Sequence, residues 1–303
     1  MIKIMTIILQ LILFIAAAPL LSGIISKIKN NIRMRKGQGV LQPYYNLGKL
    51  FSKGEVVSET ASWIFRAAPF VVFASMLVTA TLIPVFILSS PANYAGDFLA
   101  LIFVFALGRF FLALAALDTG SSFGGMGASR EMFISSLAEP AFCLAVFALA
   151  LQFGSTDISA FCGMHSVSVS SIVAALTLFL VAIAETSRIP VDNQETHLEL
   201  TMVHEAMVLE YSGRSLVLIE MSAYIKQMIL FFLIAQIVFP IGLPTGEIFF
   251  WVLWYLCRIF IIATAVALVE VSVAKMRLFR VADFLGLAFV LGVIAAVCAI
   301  LGV

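Results

Sequence analysis

The chain has 303 residues, of which 62% are hydrophobic and only 12% are charged, and its formal net charge is +1. In soluble domains roughly a quarter of all residues are charged. The composition therefore excludes a soluble globular protein and predicts an integral membrane protein. The near-neutral charge argues against nucleic-acid binding, because the few basic residues are those expected beside membrane helices.

A bilayer-spanning helix needs about 20 largely apolar residues, and eight stretches of this kind follow one another along the chain. They cover residues 4–25, 67–89, 97–117, 131–153, 169–186, 223–243, 248–270 and 281–302. We predict an all-α integral membrane protein with about eight transmembrane helices. No repeat or low-complexity linker divides residues 1–303, which are expected to form a single polytopic membrane domain.

The basic residues predict the orientation in the membrane. Fourteen of the 18 Lys and Arg residues fall in segments on one side of the predicted spans, against Lys3 alone on the other, while Arg109, Lys226 and Arg258 lie in or beside spans. Basic segments face the cytoplasm. Both termini are therefore expected outside, in a multi-pass protein of a bacterial or archaeal cytoplasmic (inner) membrane.

The segment between the first two spans contains GQGVLQPYYNLGKLFSKGE, residues 37–55, in which aromatic and aliphatic residues alternate with polar ones. This pattern predicts an amphipathic segment along the membrane interface, with the rings at headgroup depth and the lysines in water. An anchoring helix and a docking surface for a partner both remain open interpretations.

A glycine-rich stretch, LDTGSSFGGMGASRE, occupies residues 117–131 and lies between the third and fourth predicted spans. Its spacing lacks the Lys-Ser/Thr ending of a phosphate-binding loop. We predict a packing loop that contacts another subunit, with Ser129 as the N-cap of the following helix.

Ionisable groups inside spans are costly and mark protein interiors or wet cavities. Glu139 and Glu185 are predicted to handle protons, since burial raises a carboxyl pKa and a neighbouring cation lowers it. Arg109 and Arg258 are predicted to form structural ion pairs instead. Lys226 and Glu270 are further charges at or inside spans.

Residues 185–220 hold seven of the chain's 17 acidic residues and predict an acidic cytoplasmic loop between the fifth and sixth spans. Arg188 lies three residues after Glu185 and is expected to keep it ionised, and Pro190 is expected to break the helix. If a helix resumes, three acids share one face: Asp192, Glu195 and Glu199. His197 and His204 would also share a face, where titration or hydrogen bonding is favoured over metal binding.

The four cysteines are scattered, without the close pairs that iron–sulfur or structural zinc sites require. A glycine-rich nucleotide-binding motif is absent from the sequence as well. We expect no cofactor in this chain.

Several motifs give the chain a family resemblance. Glu185-Thr-Ser-Arg188-Ile-Pro190-Val-Asp192, followed later by Glu210-Tyr211-Ser212, resembles the signature of the heel subunit of respiratory complex I (subunit 1, or H). The segment at Arg35-Lys36-Gly37-Gln38-Gly39 resembles the one after its first span. Leu117-Asp118-Thr119-Gly120, Gly127-Ala128-Ser129-Arg130-Glu131 and Glu139-Pro140 resemble the branch of formate hydrogenlyase subunit 4 and hydrogenase-4 component C, in group 4 membrane-bound NiFe hydrogenases.

Three departures separate the chain from complex I: His197 replaces a glutamate, Val191 replaces a phenylalanine, and about three extra residues precede Glu210. They put quinone binding in doubt. The resemblance implies a membrane anchor that joins a peripheral redox arm to antiporter-like membrane subunits. The implied partners are hydrogenase-like large and small subunits and an iron–sulfur protein, which would carry the NiFe and iron–sulfur centres.

The resemblance and the charge pattern together assign roles to sixteen residues. The expected proton path comprises Glu139, Glu185, Asp192, Glu195, Glu199 and Glu210. The expected charge partners are Arg109, Arg130, Arg188 and Lys226. The expected junction with the peripheral arm comprises Arg35, Lys36, Asp118, His197, His204 and Tyr211. A quinone-binding complex I subunit and, in a different class, a stand-alone ion transporter remain alternatives.

Overall fold

A computed structural model describes residues 2–84, 97–158, 167–193, 202–239 and 248–302. These residues form ten helices. They are α1 (Ile2–Ile32), α2 (Gln42–Phe51), α3 (Trp63–Leu82), α4 (Phe98–Asp118), α5 (Ser122–Phe153), α6 (Val169–Glu185), α7 (His204–Val208), α8 (Gly213–Val238), α9 (Ile248–Ser272) and α10 (Leu278–Leu301).

Eight of these helices correspond to the eight predicted spans. Seven are long and apolar enough to cross a membrane, and α6 is a shorter apolar helix of 17 residues. No strand occurs in the described ranges, where the only ladder contact is an isolated bridge between Asp97 and Asp157. The prediction of an all-α membrane protein with about eight spans is confirmed.

Helix α8 lies at the centre of the fold and contacts α1, α2, α3, α6 and α9. Its side chains are buried over most of its length, including Phe231, which has no exposed surface. A second group packs α10 against α5 and α6, and α4 joins the two groups through α3 and α5. A helix that is largely apolar on every side belongs in such a core. Polar residues of α8 such as Lys226 and Gln227 therefore lie inside the bundle.

The glycine-rich stretch is helical, which corrects the predicted loop and its cap. Helix α5 begins at Ser122, and Ser121 caps it by accepting a hydrogen bond from the Gly124 amide at 3.1 Å. Ser129 instead lies inside the helix and donates to the Met126 carbonyl. A Cβ on Gly127 would lie 2.9 Å from Cβ of Ala206. The glycine therefore allows α7 of the same chain to approach.

The predicted amphipathic segment contains α2. Leu47 is buried against α8, whereas Tyr45 is 68% exposed and Phe51 is 53% exposed. The Tyr44 hydroxyl donates to the Ala16 carbonyl and ties α2 to α1, and burial raises the pKa of Tyr44 above its usual value. The helix thus presents one apolar face to the core and leaves aromatic rings on its outer face.

Candidate functional site

Four charged side chains from α4, α5, α6 and α8 meet inside the helix bundle; we name them the central network. Nη1 of Arg109 donates to Glu139 at 2.7 Å, and its Nη2 donates to both carboxylate oxygens of Glu185 at 2.8 and 2.9 Å. Lys226 contacts the same Glu185 carboxylate at 2.5 Å. One guanidinium therefore bridges two carboxylates that are 46 residues apart in sequence.

Close packing of α3 and α4 positions the Arg109 side chain. A Cβ on the preceding residue, Gly108, would lie 2.6 Å from Oγ of Ser75, so only glycine fits at this crossing. Arg109 itself is 9% exposed. The predicted structural pairing of Arg109 and the predicted involvement of Glu139 and Glu185 thus converge on one set of contacts.

A second set of polar side chains, the corner network, lies at the junction of α1, α8 and α9. Arg188 donates to Glu270 at 2.7 Å and to the Gln227 amide oxygen at 3.0 Å. Lys29 pairs with the other oxygen of Glu270 at 3.0 Å. The Glu270 side chain is 3% exposed, so both cations hold a deeply buried carboxylate.

The predicted pair between Glu185 and Arg188 is wrong. Side chains three residues apart meet when the helix continues through both, but α6 ends at Glu185. Ser187 then adopts a left-handed conformation, with φ of 49°. The turn sends Arg188 to Glu270, and Arg109 and Lys226 pair with Glu185 in its place.

A cavity of about 80 Å³ lies between the two networks. It is lined by members of both, including Arg109, Glu185, Arg188, Lys226 and Gln227, together with Glu131, His204 and Tyr224. Three donors of the lining residues have no hydrogen-bond partner within the described part of the chain: Nε of Arg109, Nε of Arg188 and Nε2 of Gln227. Buried polar groups of this kind are satisfied by ordered water, and the volume suffices for several water molecules.

Asp192 belongs to neither network and fastens the loop after α6. It is 1% exposed and accepts hydrogen bonds from the backbone amides of Asn193, Val203 and His204 at 2.8, 3.3 and 3.4 Å. Lys275 pairs with it at 2.7 Å. Asp192 lies outside any helix, so it does not begin the predicted acidic helix face. Glu195, His197 and Glu199 lie outside the described residues.

Two residues expected at a subunit junction make contacts within this chain. The Asp118 carboxylate accepts hydrogen bonds from the amides of Ser62 and Phe65 at 2.8 and 3.3 Å and so caps the start of α3. Tyr211 donates to the Phe65 carbonyl at 2.9 Å and stacks on the Phe65 ring at 4.0 Å. Burial raises the pKa of Tyr211 well above its usual value.

The remaining predicted residues differ in exposure. Arg35, Lys36 and Glu210 are exposed. Arg130 donates to the Met202 carbonyl at 2.8 Å and braces the segment before α7. His204 is half-buried and lines the cavity. In the described part of the chain, no three His, Cys, Asp or Glu side chains are grouped so as to hold a metal ion.

Sequence reasoning assigned no role to four residues of this region, although it noted Glu270 as a charge inside a span: Lys29, Glu131, Gln227 and Glu270. Glu270 carried a usable signal, a lone acid inside an apolar span, and charges there are costly unless paired. Glu131 is 9% exposed and lines the cavity, yet in sequence it lies within the glycine-rich stretch interpreted as a loop. Lys29 and Gln227 show no local pattern that distinguishes them from flanking surface residues.

Comparison with known proteins places the chain among membrane oxidoreductase subunits. The family model described as NADH dehydrogenase matches residues 3–301. Hydrogenase-4 component C of Escherichia coli (strain K12) is 36% identical over 237 residues, which cover 77% of this chain and 74% of that protein. Formate hydrogenlyase subunit 4 of the same organism is 32% identical over 279 residues, covering 89% and 90%.

More distant similarity extends to NADH-quinone oxidoreductases and to a solved complex. Subunit 8 of the NADH-quinone oxidoreductase of Rhodothermus marinus is 26% identical over 66% of this chain and 61% of that protein. A chain in the structure of the membrane-bound sulfane sulfur reductase, an archaeal respiratory membrane complex, superposes with a TM-score of 0.82. The alignment covers 97% of this chain and 99% of that chain at 18% identity, which shows a shared fold.

Proposed function

We propose that this chain, which belongs to the NADH dehydrogenase family, is the membrane-anchor subunit of a complex of the group 4 NiFe hydrogenase or formate hydrogenlyase type. It docks a peripheral redox arm and couples electron transfer to the translocation of protons or sodium ions. Two relatives above 30% identity, a hydrogenase component and a formate hydrogenlyase subunit, support this branch.

The observation that carries the coupling role is the guanidinium of Arg109 shared between two acids. Protonation of one carboxylate neutralises one of the two anions that share Arg109. The guanidinium then interacts more strongly with the remaining carboxylate and opposes its protonation, because interacting groups titrate together. Among the described residues, Glu185 pairs with two cations and Glu139 pairs with one, Arg109. A proton taken up at one acid is therefore felt at the other through a single side chain.

The two ends of the central network differ in access. The Glu139 side chain is 40% exposed on α5, whereas that of Glu185 is 8% exposed beside the cavity. A carboxylate at the surface of a membrane helix is costly against lipid. We infer that an antiporter-like membrane subunit covers Glu139 and receives protons there, while water in the cavity serves Glu185.

In this proposal the peripheral arm docks on the basic side of the chain. The exposed Arg35, Lys36 and Glu210 offer charged contacts there. NiFe and iron–sulfur centres belong to the partner subunits, and this chain supplies the membrane anchor and the buried charges. The basic side faces the cytoplasm, and both termini face outward from a bacterial or archaeal inner membrane.

Purification in mild detergent tests the assembly role. The chain should co-purify with a NiFe large subunit, a small subunit and iron–sulfur proteins. Isolation of the chain alone with transport activity would contradict the proposal and favour a stand-alone transporter. Labelling by a photoreactive quinone analogue within the cavity would favour a quinone-binding subunit.

Glu139→Gln tests the coupling role in the assembled complex. The amide keeps a contact with Arg109 but cannot carry a proton, so ion translocation should fall to a small fraction of the wild-type rate while electron transfer continues. Proton uptake by sealed vesicles measures this. Glu59→Gln, an exposed acid outside both networks, is the matched control. Unchanged translocation in a normally assembled Glu139→Gln complex would contradict the assignment.

A further inference from the structure

A hydrophobic groove, distinct from the cavity, lies between α1 and α9. It has a volume of about 480 Å³, and every residue that lines it is hydrophobic. Leu20 and Ile24 of α1 form one wall, Leu256 and Phe260 of α9 form the other, and Met228 of α8 closes the floor. Phe260 is 46% exposed, so the groove opens outward from two membrane-spanning helices.

An ion pair between α1 and α9 lies beyond one end of the groove, and further cations follow it in the chain. Lys29 and Glu270 join α1 and α9 at 3.0 Å, five residues beyond Ile24. This separation corresponds to about 8 Å along a helix, within the thickness of one leaflet, which is about 15 Å. The Ile24 end of the groove therefore lies in the leaflet on the Lys29 side, and the groove extends from there toward the middle of the membrane.

Lys27 lies on the groove face of α1 at this end. It follows Ile24 by three residues, a spacing that puts two side chains on the same side of a helix, and it is half-exposed. Further cations continue beyond it, with Arg35 and Lys36 exposed after α1 and Arg277 exposed after α9. An apolar groove that ends in cations matches a ligand with a hydrocarbon chain and an anionic head.

The apolar face of α9 also extends from the groove toward this end. Leu268 follows Ile261 by two turns, so both side chains lie on the same side of α9. Leu268 is 54% exposed, as expected for a residue that meets lipid. A second hydrocarbon chain can lie along this face beside the first. Two chains and one anionic head describe a phospholipid.

We propose that the groove between α1 and α9 binds an anionic phospholipid, with one acyl chain inside the groove and the phosphate on Lys27. Arg277, exposed after α9, adds to the positive field around the headgroup. Bound there, the lipid holds α1 against α9 next to the Lys29–Glu270 pair. The proposal requires only that the chain spans a membrane, and it stands whether or not the complex is a hydrogenase.

Native mass spectrometry of the complex, purified with and without added phosphatidylglycerol or phosphatidylcholine, tests the headgroup assignment. The wild type should retain phosphatidylglycerol in preference to phosphatidylcholine. Lys27→Gln should weaken phosphatidylglycerol retention about fivefold, since a cation near an anionic headgroup is worth about 1 kcal/mol. Lys53→Gln, which removes the same charge at an exposed position away from the groove, should have no effect.

A second measurement locates the acyl chain. Phosphatidylglycerol with a diazirine in one acyl chain should cross-link to peptides of α1 and α9, and Ala17→Trp, which fills the groove, should abolish that cross-link. Equal retention by Lys27→Gln and Lys53→Gln would overturn the headgroup site. Cross-links confined to other helices, or a partner protein helix captured in the groove, would overturn the lipid assignment.

Discussion

The central and corner networks are built from the same kinds of residue but differ in closure. In the corner network the Glu270 side chain is 3% exposed and is held by two cations that are themselves 7% and 8% exposed. In the central network Arg109 reaches from a buried acid to one that is 40% exposed. A carboxylate enclosed by two buried cations stabilises the fold, whereas a partly exposed one can also exchange protons with its surroundings. The comparison separates an ion cluster that fastens helices from one suited to coupling.

Glu270→Gln should break the closed network and have the largest effect on stability. Removing the carboxylate leaves Lys29 and Arg188 buried without a counter-charge, which typically costs about 3–5 kcal/mol of the free energy of unfolding. Thermal unfolding of the purified chain in detergent measures the loss, with Glu59→Gln as control. A shift no larger than that of the control would show that the corner network is not structural.

Glu185→Gln should have an intermediate effect. The amide oxygen still accepts from Arg109, which also keeps Glu139, and Lys226 retains the Phe105 ring at 5.9 Å. The loss of charged hydrogen bonds is expected to cost about 1.5–3 kcal/mol. The same unfolding measurement applies, and a loss equal to that of Glu270→Gln would mean that the two networks are equally closed.

Glu139→Gln should change stability least, because Arg109 keeps its pairing with Glu185 and because neutralising a carboxylate at the surface of a membrane helix offsets part of the lost contact. Its effect on translocation in the complex should nevertheless be large. This divergence between stability and activity is the sharpest test of the comparison. A loss of stability as large as that of Glu185→Gln would place Glu139 inside a closed structural cluster.

The spans were predictable because each is a local property of about 20 residues. The errors occurred where local pattern and packing disagreed. Glycines suggested a loop at residues 117–131, but Ser121 caps a helix that begins at Ser122, and Gly127 inside that helix lets α7 pack against it. Likewise, Arg188 lies near Glu185 in sequence, yet the end of α6 turns it toward Glu270.

Several residues of the candidate site could be predicted from the sequence, but the contacts between them could not. Burial of a charge in a span is costly, so Arg109, Glu139 and Glu185 could be selected from sequence. Lys29 and Gln227 could not be selected from sequence. Lys29 is one of several basic residues after the first span, and Gln227 is a single neutral polar residue at the start of the sixth. Their role follows only from their contacts with Glu270 and Arg188.

The sequence by itself determined that this protein spans a membrane about eight times and that charges lie inside those spans. Only the tertiary structure decided which charges meet. Arg109 pairs with acids 30 and 76 residues away, and Arg188 pairs with one 82 residues away. Spacing rules reach only one or two helical turns, and helices that are apolar on every side do not reveal which face turns toward which neighbour. Packing around α8 sets that rotation and, with it, the two networks.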